Sequence, residues 1–373
     1  MKGFFLLFIL LLISFPVFGL DNPYTLRSPR GLLMGDAFTG INDDAFTLFY
    51  NPATLGRHKN DFSMYPLNGM ATGTNVLANM DRFKDFPNEP VGASDRLMNY
   101  PVHAGANTAP GFKMFNFGLS AIVADSYDVL LRNKANPTMD IDLRSDRGVA
   151  AGFAIPIGPG RLNKKSTSGS QTSLGIGAKY IERTGVSDRI GLLSPTVLNS
   201  LDQDGVSKIV KSLGRVKGQA WGFDAGFEHV VKVANSQFVI GLAALDITGT
   251  DFKVPKNPDH LKVASNRDQV NLGSAFGQDF GIFHYIMSAD IRALNEQMDF
   301  GKRLRLGGEI GIPGLAVMAG MNSGYYSYGA TIDFGFLKTT AGIYEVELGS
   351  KYKQTKSSRF VISVTLFDFA FDA

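Results

Sequence analysis

Five histidines, at 58, 103, 229, 260 and 284, are the residues of this chain best suited to proton transfer or metal ligation. None stands three or four residues from another, so no helix face gathers a metal-binding pair. Cysteine is absent, which excludes disulfides and thiolate sites. Asp140, Asp142 and Asp146 could reach a calcium ion, but the glycine and closing glutamate of a calcium loop are missing. Gly175-x-Gly177 lies inside an alternating run, so it cradles no phosphate. No Gly-x-Ser-x-Gly element marks a nucleophile elbow. His229 falls on the apolar register of its run, where a serine partner is conceivable. The reading is of a protein that is not an enzyme, with no cofactor and no metal site.

The least repetitive stretch carries the most information. Residues 31–56, GLLMGDAFTGINDDAFTLFYNPATLG, are rich in Gly, Ala and Asp and break the alternation that follows. Before them, residues 1–19 read as a signal peptide, with Lys2, an apolar run over 4–15, and small residues Val17 and Gly19 ahead of the cut. An N-terminal membrane anchor is the alternative. No later run is long and apolar enough for a helical span. Removal of the signal leaves about 350 residues, one large domain or two. A net charge of +3 gives no nucleic-acid footprint.

The elements that would position these residues are strands. After residue 110 the period is two. Leu174, Ile176, Ala178 and Tyr180 oppose Ser173, Gly175, Gly177 and Lys179; Trp221, Phe223, Ala225 and Phe227 oppose Gly222, Asp224, Gly226 and Glu228. Leu304, Leu306 and Ile310, and later Phe360, Ile362, Val364 and Leu366, continue the apolar face. Runs of ten or more residues suit a tilted strand crossing a bilayer. Glycine (42) and phenylalanine (29) are abundant against one tryptophan, as alternating lipid and lumen faces require. The inward charges, Asp224, Glu228, Asp290, Arg292, Arg303, Arg305 and Glu309, make either an ion-pair lattice or a selectivity lining.

Short connections near 233–235, 280–282, 312–314 and 333–336 alternate with long ones at 185–216, 249–266, 294–301 and 349–357, the asymmetry of an outer-membrane barrel. The turn at 158–171 and the tight Asn322-Ser323 dissent. Fourteen strands follow if 125–145 is an outer loop, sixteen if 127–142 adds a hairpin; fourteen is preferred. The expected fold is thus all-β: a transmembrane antiparallel barrel of about 14 strands with an N-terminal hatch and short helices in loops. Its units are a hatch over 20–57 and a barrel over 58–373. Helical spacing recurs in 74–86, and in 196–213 through Val197, Leu198 and Leu201, then Val206, Ile209, Val210 and Leu213. Leu198, Leu201, Val206, Ile209, Val210 and Leu213 either pack across the barrel mouth or contact a hydrophobic ligand or partner.

Gly35-Asp36-Ala37-Phe38, Asp43-Asp44-Ala45 and Tyr50-Asn51-Pro52-Ala53 resemble the FadL-type outer-membrane proteins, the long-chain fatty-acid transporter superfamily with its PorV-like and TraF-like relatives. Looser echoes lie in 241–247 and in 305–349, with Gly307-Gly308-Glu309 and Glu347-Leu348-Gly349. The resemblance implies a monomeric 14-stranded barrel with a hatch inside. It implies that hydrophobic ligand moves toward an opening in the wall when the hatch shifts. Asn51, Pro52 and Ala53 match the hatch motif. The expected partners are outer-membrane lipid and either a hydrophobic small molecule or a secreted or periplasmic protein, with no nucleic acid. Uptake of hydrophobic or amphipathic molecules such as long-chain fatty acids is one expected function. A non-transporting PorV- or TraF-like docking barrel is the other. The closing Phe371-Asp372-Ala373 departs from the usual terminal aromatic.

Overall fold

Alternation becomes ladder: each period-two run is a strand paired with its chain neighbours. The computed structural model describes residues 25–58, 61–87, 90–158, 162, 166–191, 216–254 and 263–372. The signal-peptide reading of 1–19 and the apolar loop residues Leu198, Leu201, Val206, Ile209, Val210 and Leu213 lie outside the described residues.

Fourteen antiparallel strands close into one barrel. They are β1 (Asp61–Tyr65 and Leu67–Thr74), β2 (Val102–Thr108 and Gly111–Met114), β3 (Phe117–Arg132), β4 (Thr138–Ile157), β5 (Ser168–Gly191), β6 (Val216–Val233) and β7 (Ser236–Leu245). Then follow β8 (Gln269–Asp279), β9 (His284–Ile291), β10 (Leu304–Ile312), β11 (Leu315–Asn322), β12 (Tyr325–Asp333), β13 (Leu337–Glu347) and β14 (Lys356–Leu366 and Phe369–Asp372). Closure comes from β14 on β1, in register from Arg359↔Thr74 to Leu366↔Leu67. Turn chemistry fixes the hairpins: Phe115-Asn116 takes left-handed backbone at both positions, as a two-residue turn of matching twist demands.

One sequence expectation changes. Residues 125–145 are not an irregular loop, because β3 and β4 stay paired from Asp125↔Ser145 to Arg132↔Thr138. The strand number stands, but β3, β4 and β5 run well past the apolar band. The cause is the period-two run Met139-Asp140-Ile141-Asp142-Leu143-Arg144. Its inward carboxylates find arginines: Asp140 takes Arg132 and Arg189, Asp142 takes Arg144, and Asp146 takes Arg183. The aspartates considered for calcium are therefore ion-pair partners. The connection after β1 is helical as expected, at Val76–Asn79, Met80–Phe83 and Pro90–Leu97. The tight turn expected at Asn322-Ser323 is present one residue further on, at Ser323-Gly324, both residues having positive φ.

The outside is apolar. Ile176 is 67% exposed, Trp221 61% and Ile310 57%. The band ends where outward ion pairs begin, Arg147 with Asp125 and Lys217 with Glu182. On β4 it runs over 149–157, which at about 3.3 Å per residue and about 45° tilt spans roughly 20 Å. Exposed Phe115, Phe280, Phe334, Phe336 and Phe367 rim the short-turn end, while Trp221, Tyr326 and Tyr328 are exposed higher on the wall. A closed ladder with an apolar girdle has no unpaired edge to present to lipid. The chain is a transmembrane barrel of the outer-membrane type, a class whose short turns face the periplasm.

Candidate functional site

The largest apolar core lies inside the barrel, and residues 25–58 supply much of it. Leu32, Leu33, Met34, Phe38, Phe49 and Leu55 are buried against Ile122, Ile181, Met318 and Val361 of the wall. The local fold of this segment follows from its sequence. Ser28 caps the helix Pro29–Leu33, accepting from Gly31 N at 3.1 Å, with Pro29 at the first helical position. Gly35 and Asp36 both take positive φ and reverse the chain. Tyr50 closes the turn: its hydroxyl donates to Asp36 Oδ1 at 2.8 Å and accepts from Ser28 N at 3.2 Å. Asn42 donates to the carbonyls of Thr47 and Asn51 and to Thr54 Oγ1, staking the next loop. Two short turns, Thr47–Phe49 and Pro52–His58, complete the segment.

The wall makes room with glycine. Gly175 and Gly226 lie under Asn51-Pro52-Ala53, and a β-carbon at either would overlap that backbone or the Asn51 side chain. Gly307 and Gly320 do the same under Met34-Gly35. Gly118 and Gly152 face Leu55 and Leu48, with β-carbon positions 2.9 and 2.6 Å away. Gly329 and Gly342 both face Leu33 at 2.5 Å. These eight glycines sit on eight strands, β3 to β6 and β10 to β13, each pointing inward. Part of the high glycine content is thus a bed for a second piece of chain.

Polar clamps fix the segment to that bed. Asp290 is fully buried and accepts from Phe38 N at 3.0 Å and Thr39 N at 2.9 Å. Arg292 donates to Asp36 at 2.9 Å and lies 5.2 Å from the Tyr50 ring centroid. Arg57 makes a two-bond fork to Glu228 at 2.8 and 2.7 Å, and Thr54 donates to the same carboxylate. Arg30 forks onto Glu309 at 2.5 and 2.8 Å and reaches Asp43 at 2.6 Å. Lys113 donates to the carbonyls of Asp43 and Asp44. Asn51 Nδ2 donates to Phe227 O at 3.2 Å, and its Oδ1 accepts from Ala53 N at 3.0 Å.

The inward charges therefore form a lattice. Glu228, Asp290, Arg292 and Glu309 hold the segment, Asp224 holds Lys179, and Arg305 donates to Ser323 Oγ. Arg303 closes a one-turn helix, Phe300–Arg303, ahead of β10. Sequence reasoning found the wall charges but not their partners Arg30, Asp36 and Arg57. The available signal was a short chain rich in both signs placed before a barrel.

Ser327 tests the clamp at small scale. Its hydroxyl accepts from Gly35 N and donates to Leu33 O, both at 2.9 Å. Ser327→Ala leaves both groups unpaired and should cost about 1–3 kcal/mol. The expected readout is a lower heat-modification temperature on semi-native gels; an unchanged temperature would contradict the assignment.

Cavities lie on both sides of the segment. On the outer side a polar chamber of about 130 Å³ is lined by Arg27, His103, Asp128, Arg144 and Arg359. Toward the periplasm open two larger vestibules, of about 470 and 650 Å³. The smaller of these reaches the wall where β14, β1 and β2 are all broken: Tyr65, Asn68, Thr365 and Asp368 line it. Leu366 pairs with Leu67 and Phe369 with Met64, but the residues between them do not pair with each other. Pro66 and Pro110 have no N–H for a ladder. Leu67, Phe367 and Phe369 are exposed beside the break.

No protein-family model matches the sequence, and a search of curated proteins finds no match. Among solved structures, the chain is similar to the CymD monoaromatic hydrocarbon channel, with 12% identity, 94% of this chain and 98% of that one covered, and a TM-score of 0.39. The P. putida toluene transporter TodX gives 10%, 94% and 99%, and 0.38. The translocator domain of the autotransporter NalP from Neisseria meningitidis gives 11%, 83% and 89%, and 0.32. At these values the comparisons place no residue of this chain, and the barrel rests on its own ladders.

Proposed function

We propose that residues 20–57 are a hatch in a barrel formed by 58–373, and that the barrel takes up hydrophobic or amphipathic small molecules such as long-chain fatty acids. The observation that carries this reading is the vestibule beneath the segment, which ends at a broken wall flanked by Leu67, Phe367 and Phe369. A polar solute leaves a pore along its axis into water. A sideways exit between strands serves a molecule that prefers the bilayer. Asn51, Pro52 and Ala53 hold the far half of the hatch on Gly175 and Gly226, and their release would let it move.

Purified protein in liposomes is expected to bind and admit a fluorescent fatty acid or an aromatic hydrocarbon. Neither binding nor uptake would remove the proposal. Deleting residues 21–56 should also lower the heat-modification temperature or open a steady conductance. A deletion variant with the parent's heat-modifiability and no conductance would show that the segment does not close the lumen.

A further inference from the structure

We propose that Asn68 holds the broken wall shut, standing in for the ladder that the prolines remove. The proposal rests on the uptake reading, because a wall opening matters only if cargo leaves through it. On β1 the inward face passes from Tyr65 to Asn68 across Pro66-Leu67, so one strand gains a residue against its neighbour. The β1–β2 ladder accordingly stops at Gly69↔Thr108 and resumes at Tyr65↔Gly111. Between these pairs β2 carries Ala109-Pro110.

The side-chain amide of Asn68 fills that gap as a backbone amide would. Its Nδ2 donates to Ala109 O at 2.9 Å, and its Oδ1 accepts from Ala109 N at 2.7 Å. Thr108 Oγ1 donates to the same oxygen at 3.2 Å. Asn68 is 4% exposed and Ala109 is fully buried, so the pair seals the wall. An amide carries its donor and its acceptor on separate atoms, so Asn68 bonds both backbone groups of one residue, Ala109. A carboxylate lacks the donor, and alanine lacks both. A seal made by one side chain opens by rotation about its χ angles, with the neighbouring ladders left paired. Asn68 also lines the vestibule, where arriving cargo competes for its amide.

The chain has no cysteine, so one introduced thiol reports cleanly. Thr365 lines the same vestibule. Thr365→Cys is introduced alone, with Asn68→Ala, and with the near-isosteric Asn68→Asp, and each protein is reconstituted. Labelling by a maleimide dissolved in the bilayer is timed, and heat-modifiability reports folding. Labelling should rise about ten-fold in both double variants, the change expected on losing one net hydrogen bond of ordinary strength. Equal labelling in the parent, in Asn68→Ala and in Asn68→Asp would overturn the assignment. If Asn68→Ala does not fold, Asn68→Asp decides alone. Uptake of a fluorescent fatty acid is measured on the same samples. Faster labelling without any uptake would retain the seal and remove the uptake reading; uptake with unchanged labelling would do the reverse.

Discussion

Gly320→Ala should release the segment from the wall. A β-carbon at this position falls on Met34 C and Gly35 N, which are backbone atoms. Side chains can rotate away from an added methyl, but here the chain itself must move. It is pinned there by Ser327, which bonds both Gly35 N and Leu33 O. Overpacking of this kind costs about 1–3 kcal/mol, which shifts the closed-to-open ratio by up to about a hundred-fold. In planar bilayers the parent should show a closed baseline and the variant a persistent current. Gly308→Ala supplies the control, since its β-carbon would meet nothing nearer than 3.8 Å. Equal currents from the two variants would contradict the packing argument.

The second large effect should come from Arg292→Met. This guanidinium lies between Asp36 of the segment and Asp290 of the wall, at 2.9 and 3.7 Å, and all three side chains are buried. Removing the cation leaves buried Asp290 without its arginine and Asp36 with only Arg27, at 3.8 Å, and breaking a buried pair in this way costs about 3–5 kcal/mol. The variant should unfold at markedly lower temperature. Adding Asp36→Asn should recover part of the loss, because it removes one of the two carboxylates. Strict additivity of the two substitutions would show that the pair is not coupled.

Much of the barrel was legible because its physics repeats. Leu174, Ile176 and Tyr180 against Gly175, Gly177 and Lys179 state which face meets lipid, and every later strand restates it. The projection of β3, β4 and β5 beyond the bilayer was not read, although Met139-Asp140-Ile141-Asp142 alternates without fault, because an alternating run is a strand only when it has partners, and these lie on β3 and β5. The partners of the inward charges were not legible. Nothing local in Arg30 names Glu309, and nothing in Asp36 names Arg292, because the contact forms only after the barrel closes around the segment. The glycine bed lay between these cases. Gly175, Gly226, Gly307 and Gly320 each read as ordinary small inward residues, and their common purpose emerges only when one backbone lies across all of them. Asn68 followed Pro66 in plain view, but its role depends on Ala109-Pro110 being its neighbour on the next strand.

The central claim is that the segment inside the barrel must move for cargo to pass. Disulfides that pin it test this directly in a chain without native cysteine. Leu55→Cys with Gly118→Cys, or Leu48→Cys with Gly152→Cys, pins it at sites where a β-carbon on the glycine meets a leucine side chain first. Uptake of a fluorescent fatty acid into proteoliposomes is then measured before and after reduction. Oxidised protein should be inactive and reduced protein should recover. Uptake by the oxidised, fully cross-linked protein at the reduced protein's rate would contradict the account.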